Sequence, residues 1–407
     1  MKISGIIVEY NPLHNGHIFH INKTKELTNC DLIIAVMSGN FNQRGIPSII
    51  DKWTKTKLAL ENGVDIVLEL PSIYALSSAE FFAYGAVSLL NSLGVVDSIC
   101  FGSEAGDVNL LDTFADVLIN EPTKYKSFLK SELDKGLLFP KARSLALIEY
   151  LSSKTSLDKT NLTSQLNSSN NILGIEYIKS LKKLNSKIKP YTIMREGGSY
   201  NSSTLNNLFS SATSIRCALK EKNNIHTLEN HVPNNVFKEI LSLYQNNYTF
   251  PFEDMMYSAI KYKALTSRNN HFSLLPDASE GLNNKILSAI QRASTYGECI
   301  SLIKSKRYTY TRISRILCQY YLNFYDYDIV NMRKAPCPYA RILGFTNQGS
   351  KVLKAIKENC NVPLYSKLPK KVSDTLELDL QCTKGYSLLN PSIRYNEDRL
   401  ISPIIIT

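Results

Sequence analysis

Near the start of the chain, His14-Asn15-Gly16-His17 combines residue types and a spacing suited to chemistry on phosphate. An apolar run, Ile6-Ile7-Val8, and the breaker Asn11-Pro12 come before it, and a segment with helical spacing, His17 to Leu27, begins within it. A helix N-terminus presents free backbone N–H groups and the positive end of the helix dipole, and both favour an anion. Imidazoles placed there can donate to phosphoryl oxygens whose charge grows as a phosphate bond breaks, while Gly16 lets a large ligand approach the backbone. The competing reading is a turn carrying two surface histidines; the strand before it and the helix after it count against that.

Three further segments carry donors in comparable settings. Ser38–Gly45 offers Gln43 and Arg44 between two glycines, and a guanidinium suits bidentate contact with phosphate or carboxylate. Asp51, at the start of the next helix, reads equally as a first-turn stabiliser or a functional acid. Phe101-Gly102-Ser103-Glu104 closes a strand with a glycine against which an adenine ring can lie, or is a plain strand-to-helix turn. Ser211-Ala212-Thr213-Ser214-Ile215-Arg216 enters a helix with hydroxyls that either cap it or bind phosphate. Arg216 lies in the first turn, where a cation is unfavourable unless an anion accompanies it.

The elements that must position these groups alternate over the first hundred residues. Strand-like runs at Lys2–Tyr10, Asp31–Met37, Val64–Leu70 and Val95–Phe101 are separated by helical periodicity at His17–Leu27, Asp51–Asn62 and Ser77–Leu93. Such alternation predicts βαβ units and a parallel sheet covered on both faces, with ligands beyond the carboxyl ends of the strands. Helical patterns dominate from Leu110 to Leu184. A fifth strand, Ile188–Met194, leads into Arg195-Glu196-Gly197-Gly198, and Ser210–Lys220 reads as a loop entering a helix. Helical patterns follow at Val236–Tyr244, Phe252–Ala264, Leu282–Ala293, Cys299–Lys304 and Arg312–Asn323. Ser152–Ser169 and Asn201–Asn207 are polar and read as mobile loops. The end of the chain, Val362–Thr407, mixes short strand-like pieces with prolines and yields no assignment.

The chain of 407 residues is long enough for two or three domains and a sizeable core. It shows no stretch long and apolar enough to cross a bilayer and no signal-peptide pattern, so no membrane role is expected. Eight scattered cysteines without a C-x-x-C pair argue against a zinc knuckle or thioredoxin-type site and suit a reducing, cytoplasmic compartment. No protein metal site is expected. The formal charge of +11 is compatible with an anionic partner such as RNA, or reflects a Lys-rich composition that only solvates the surface. The basic residues Lys304, Lys306, Arg307, Arg312, Arg315, Arg333, Lys334 and Arg341 interleave with Tyr308, Tyr310, Tyr320, Tyr321 and Tyr325. That pattern suits phosphate contacts with stacking on unpaired bases, or a basic helix with tyrosines in the core.

Together the pieces resemble the nucleotidylyltransferase superfamily. His14–His17 matches its H-x-G-H signature, and Ser211–Arg216 its late S-x-T-x-[IV]-R signature, apart from Ala212, which removes one hydroxyl often found there. Val8–His17, Ser38–Pro47 with Asp51-Lys52-Trp53, Phe101–Glu104, Asn170–Tyr177 and Lys304–Arg315 are similar to the bacterial tRNA(Met) cytidine acetate ligases over nearly the whole chain. The resemblance implies an α/β fold, with a Rossmann-like parallel sheet of the HxGH nucleotidylyltransferase type followed by a mostly helical C-terminal region. It implies an ATP- and acetate-activating domain at 1–220 and a tRNA-binding region at 221–407.

The activity implied is acetyl-adenylate formation from ATP and acetate, then acetyl transfer to N4 of the wobble cytidine of elongator tRNA(Met). Mg²⁺ is expected with the phosphates. His14, His17 and Arg216 would be catalytic. ATP would be held by Ile7, Val8, Glu9, Tyr10, Asn11, Pro12, Leu13, His14, Asn15, Gly16, His17, Ile18, Phe19 and His20. Gly102, Asn170 (or Asn171), Arg195, Glu196, Ser211 and Thr213 would complete that pocket. Gln43 and Arg44 would meet acetate or phosphate, and Lys304, Lys306, Arg307, Arg312 and Arg315 tRNA. The alternatives are an enzyme that adenylates a small phosphorylated metabolite, and a non-catalytic RNA-binding protein regulated by ATP.

Overall fold

The computed structural model describes residues 1–137, 139–154, 158–195, 210–221 and 225–407. Ten strands are present among them: β1 (Ile3–Val8), β2 (Leu32–Ser38), β3 (Phe41–Asn42), β4 (Ile46–Pro47), β5 (Ile66–Leu70), β6 (Ser98–Ser103), β7 (Lys189–Met194), β8 (Ala340–Thr346), β9 (Leu364–Tyr365) and β10 (Ile404–Ile406). The main sheet runs β10-β8-β5-β2-β1-β6-β7, with β9 also on β8. From β5 to β7 every pairing is parallel; β8 then joins β5 antiparallel. β3 and β4 form a small separate ladder.

All residues of β2 and β5 are buried, as central parallel strands covered on both faces should be. Alternate residues feed two cores. Leu32, Ile34 and Val36 join the one built with the helices Ala79–Ser92 and Ser169–Lys183. Ile33, Ala35 and Met37 join the other, with Ile21, Trp53, Leu58 and Ile215. The strand and helix order expected for the first hundred residues is the order found, with ends displaced by up to three residues. The sheet lies within the expected α/β class.

Several expectations are corrected. Within Ser152–Ser169, read as a loop, residues Lys159–Asn167 form a helix. Asp158 caps it by accepting from the Asn161 N–H at 2.6 Å, and Leu162 and Leu166, four apart on one face, are buried. Asn201–Asn207 lies outside the described residues. The unassigned C-terminal stretch contains a 16-residue helix, Asp374–Leu389, besides β9 and β10. The pattern Phe252–Ala264 is divided into a 3₁₀ turn, Glu253–Met256, and a helix, Tyr257–Thr266.

A buried ionic clasp joins the C-terminal segments to the sheet. Lys52 Nζ lies 2.7 Å from Glu69 and 2.6 Å from Asp398, and Arg341 reaches the same two carboxylates at 2.9 and 2.8 Å.

Candidate active site

A cavity of about 430 Å³ opens beyond the carboxyl ends of β1, β6 and β7. Its floor includes Ile7, Val8, Glu9, His14, Gly16 and His17; Gly102, Asn170 and Arg195 stand on one side, and Gln43, Arg44, Ser211, Thr213 and Arg216 also line it. The two signatures, separated by about two hundred residues of chain, therefore meet around one space.

The imidazoles are fixed by backbone. His14 caps the helix Asn15–Thr28: its Nδ1 accepts the Gly16 N–H at 3.1 Å, and its own N–H donates to His17 Nδ1 at 3.1 Å. The rings stack with centroids 3.7 Å apart, and Tyr10 meets the His17 ring edge-on. A neutral imidazole that accepts at Nδ1 carries its proton at Nε2. Burial pushes His14 down to about 3, helped by repulsion from Arg195. Burial also holds His17 well below the ordinary histidine value, helped by His14, His20 and Arg195. Both rings are thus neutral Nε2–H donors. His20, lowered to about 4 chiefly by burial, gives its Nε2–H to the Cys100 carbonyl at 3.2 Å.

The approach to these rings is tightly held. Tyr10 has φ 47°, in the left-handed region, and the Asn11–Pro12 peptide is cis. Asn11 Oδ1 accepts from the Ile49 N–H at 2.9 Å and from Arg216 Nη1 at 3.1 Å. Pro12, Leu13, Asn15 and Ile18 do not line the cavity. Leu13 is in the core, and Asn15 Nδ2 donates to the Asn230 carbonyl at 2.9 Å.

Gly102 lies close to Arg195, whose Cγ would be 3.2 Å from a Cβ added there. The structure separates the two asparagines. Asn170 lines the cavity, donates to Glu104 at 2.7 Å and accepts from Arg195 Nη1 at 3.2 Å. Asn171 is fully buried and bonded to Gln165 and the Ala105 N–H. Glu196 lies outside the described residues.

At the other wall, Ser211 caps the helix Ala212–Lys220 by accepting from the Ser214 N–H, and Arg44 donates to Thr213 Oγ1 at 3.2 Å. Arg216, read from sequence as a cation awaiting an anion, already has a carboxylate: Nη2 lies 2.9 Å from Glu253, and Nη1 also reaches the Pro47 carbonyl at 3.0 Å. Asp51 resolves as a helix cap, accepting from the Trp53 and Thr54 N–H groups.

Sequence reasoning missed Phe252, Glu253, Tyr310 and Lys220, all of which line the cavity. Phe252 and Glu253 come from a distant segment with no motif of its own, Lys220 ends the helix that the Ser211–Arg216 cluster begins, and Tyr310 reads with the basic–aromatic window for RNA. It also missed Lys55, whose buried Nζ donates to the carbonyls of Glu9, Ser38 and Gly39 at 2.8–3.0 Å and to Ser48 Oγ at 2.9 Å. Lys55 ties the ends of β1 and β2 together, and burial pushes it down to about 7. Its signal was a lysine on the apolar face of a helix.

The basic C-terminal window divides. Lys304, Lys306 and Arg307 are exposed, with Arg307 2.6 Å from Glu280. Arg312 donates to the Asp277 carbonyl at 2.9 Å. Arg315 packs under the Gln43–Gly45 turn, where the helix Tyr310–Tyr321 also receives the Gly45 carbonyl through Ser314. Gly45 has φ 73°, and a Cβ there would lie 2.3 Å from the Arg315 nitrogen, so only glycine fits this approach. Arg333 and Arg341 are buried in ion pairs, and Tyr308, Tyr320 and Tyr321 are core residues. These five hold the fold and offer no open surface for a base.

The sequence of residues 1–399 matches the family model described as HIGH Nucleotidyl Transferase. This chain belongs to that family. It is 55% identical over 406 residues to the tRNA(Met) cytidine acetate ligase of Clostridium kluyveri, covering 100% of this chain and 99% of the relative. Identity to the Clostridium novyi protein of the same name is 53%, covering 100% of both. Among solved structures, apo Thermotoga maritima TmcAL superposes with a TM-score of 0.92 at 34% identity, and the form bound with alpha-thio ATP with 0.91 at 33%, each covering 100% of both chains. Within this HIGH family member all eight cysteines are free, and no helix among the described residues is long and apolar enough to cross a membrane.

Proposed function

We propose that this chain is an ATP-dependent tRNA(Met) cytidine acetate ligase. It would join ATP and acetate into acetyl-adenylate and pyrophosphate, then pass the acetyl group to N4 of the wobble cytidine of elongator tRNA(Met). The observation that carries this reading is the meeting of the His14–His17 pair and the Ser211–Arg216 cluster in one cavity. It is supported by the end-to-end likeness to relatives bearing that name.

Acetate is a poor acyl donor because its leaving group would be oxide. Attack of a carboxylate oxygen on the α-phosphorus of ATP makes the leaving group AMP. That step needs alignment and stabilisation of charge passing to pyrophosphate. His14 and His17 supply neutral Nε2–H donors beside a helix N-terminus, aimed at the oxygens on which charge develops. Gln43 and Arg44 meet acetate or phosphate. Arg216 serves the β- and γ-phosphates, exchanging Glu253 for a phosphate partner. Ile7–Asn11, His14, Gly16, His17, Phe19 and His20, with Gly102, Asn170, Arg195, Ser211 and Thr213, would enclose the nucleotide, and the rest of Ile7–His20 holds these residues in place. Mg²⁺ arrives with the triphosphate as part of the substrate; among the described residues no group of three His, Cys, Asp or Glu could hold it.

The division at residue 220 is one of labour. Residues 1–220 carry most of the groups that would activate acetate, joined in the cavity by Phe252, Glu253 and Tyr310. Residues 221–407 would hold the tRNA through Lys304, Lys306, Arg307 and Arg312, with Arg315 supporting them from under the Gln43–Gly45 turn, while lending β8, β9 and β10 to the sheet. The compartment proposed is the cytoplasm.

The test incubates the protein with ATP, labelled acetate and methionine tRNA, omitting one component at a time. Label enters tRNA only when all three are present. Labelled RNA in no combination would favour an adenylyltransferase of a small metabolite, and a tRNA gel shift without ATP turnover would favour a binding protein.

A further inference from the structure

The proposed second step lacks a base. A cytidine N4 amine is weakly nucleophilic, and it must lose a proton as the amide forms. The groups lining the cavity narrow the choice. His14 and His17 accept backbone N–H groups at Nδ1 and carry hydrogen at Nε2, so neither has a free lone pair. His20 gives its Nε2–H to the Cys100 carbonyl, and burial lowers it to about 4, which leaves its other nitrogen a weak base. Glu253 pairs with Arg216 at 2.9 Å, a pair that re-forms once pyrophosphate has left and before the transfer step. Glu9 remains. It follows β1 directly, lines the same cavity as both histidines and keeps partial exposure there. Its Oε1 accepts the Gln43 N–H at 2.6 Å, and its own carbonyl is pinned by Lys55 at 3.0 Å.

We infer that Glu9 is the catalytic base of acetyl transfer, a role that rests on the acetate-ligase reading. The N4 lone pair attacks the carbonyl carbon of acetyl-adenylate and forms the C–N bond. The bond from that carbon to the AMP phosphate oxygen breaks, and AMP leaves with the electron pair. The N4 proton passes to the Glu9 carboxylate and from there to water. Cytidine and acetyl-adenylate thus give N4-acetylcytidine, AMP and one proton. Burial raises Glu9 above the ordinary carboxylate value, against the Gln43 N–H, Arg44, Lys55 and Ser38, which favour its charged form. A carboxylate so placed is a better base than an exposed one and is still ionised once the pH exceeds its own value.

The experiment supplies preformed acetyl-adenylate and tRNA, which bypasses activation, and follows single-turnover transfer against pH. Wild-type transfer rises with pH and levels off once Glu9 is ionised. Glu9→Gln keeps an acceptor for the Gln43 N–H. It transfers roughly 10²-fold or more slowly, the range for loss of a general base, and its rate no longer shows the acid limb. Transfer by Glu9→Gln at the wild-type rate, or a slower rate with the acid limb intact, overturns the assignment. Should Glu9→Gln fail to fold, Glu9→Asp decides, because the shifted carboxylate must move the midpoint of the limb; an unmoved midpoint overturns it. Wild-type protein that transfers nothing from acetyl-adenylate overturns the ligase reading itself, a result distinct from any failure of Glu9.

Discussion

Two regions of this molecule bury ionisable groups, and they do so to opposite ends. In the clasp, Lys52 and Arg341 face Glu69 and Asp398 at 2.6–2.9 Å, two cations with two carboxylates. Burial pulls the Lys52 ammonium and the Arg341 guanidinium down, and the carboxylates more than reverse it, so both stay charged. In the histidine cluster no carboxylate pairs with an imidazole among the described residues. Burial and the nearby Arg195 leave His14, His17 and His20 neutral. Paired burial keeps charge and holds the chain together; unpaired burial removes charge and leaves donors that respond only when an anion arrives.

The contrast breaks most severely at Arg341. Arg341→Leu leaves Glu69 and Asp398 to share Lys52 alone, and removing one partner from a buried network costs about 3–5 kcal/mol. Denaturant unfolding should show that loss. Because β8 carries Arg341, it should also show β8 and β10 losing protection from amide exchange before the rest of the sheet. A loss below about 1 kcal/mol would mean that the clasp is not what ties the C-terminal segment down.

The histidine cluster should behave in the reverse way. His17→Ala removes a neutral ring with one backbone partner, so the fold persists and tRNA binding is retained. ATP turnover falls by about 10²–10³, the effect of deleting one donor from a site where charge develops. Equal loss of tRNA binding and turnover would place His17 with the structural residues.

How much of this was legible follows the same division. The histidine motif, the strand before it and the hydroxyl–arginine signature are local patterns, read without knowledge of distant contacts, and they do meet in one cavity. The parallel run of β1, β2, β5 and β6 follows from apolar strand runs alternating with helical periodicity. What stayed hidden depends on long-range pairing. β8 receives no strand assignment from the sequence, and its antiparallel register with β5 pairs segments almost three hundred residues apart. Glu253 gains meaning only beside Arg216, and Lys55 only where three carbonyls converge on it. Arg333, Arg341, Tyr320 and Tyr321 matched a basic–aromatic pattern for RNA, yet burial decides their use, and spacing does not report burial. That Asn170 lines the cavity and Asn171 is buried is likewise something the Asn-Asn pair does not report.

The smallest expected effect lies at the surface, where a third kind of charge pairing appears. Arg307 lies 2.6 Å from Glu280, both exposed, in a pair that water and salt screen. A tRNA phosphate can take the place of the Glu280 carboxylate without stripping either group of solvent. Arg307→Ala should therefore weaken tRNA binding modestly and lower the slope of log affinity against log salt by roughly 0.7–0.9, the share of one phosphate contact. Glu280→Gln should act in the opposite sense, raising affinity because the guanidinium no longer has a competing carboxylate. Binding isotherms at several salt concentrations for both variants check this pairing. Opposite signs would place the RNA backbone at Arg307, and no change in either would return the pair to surface solvation.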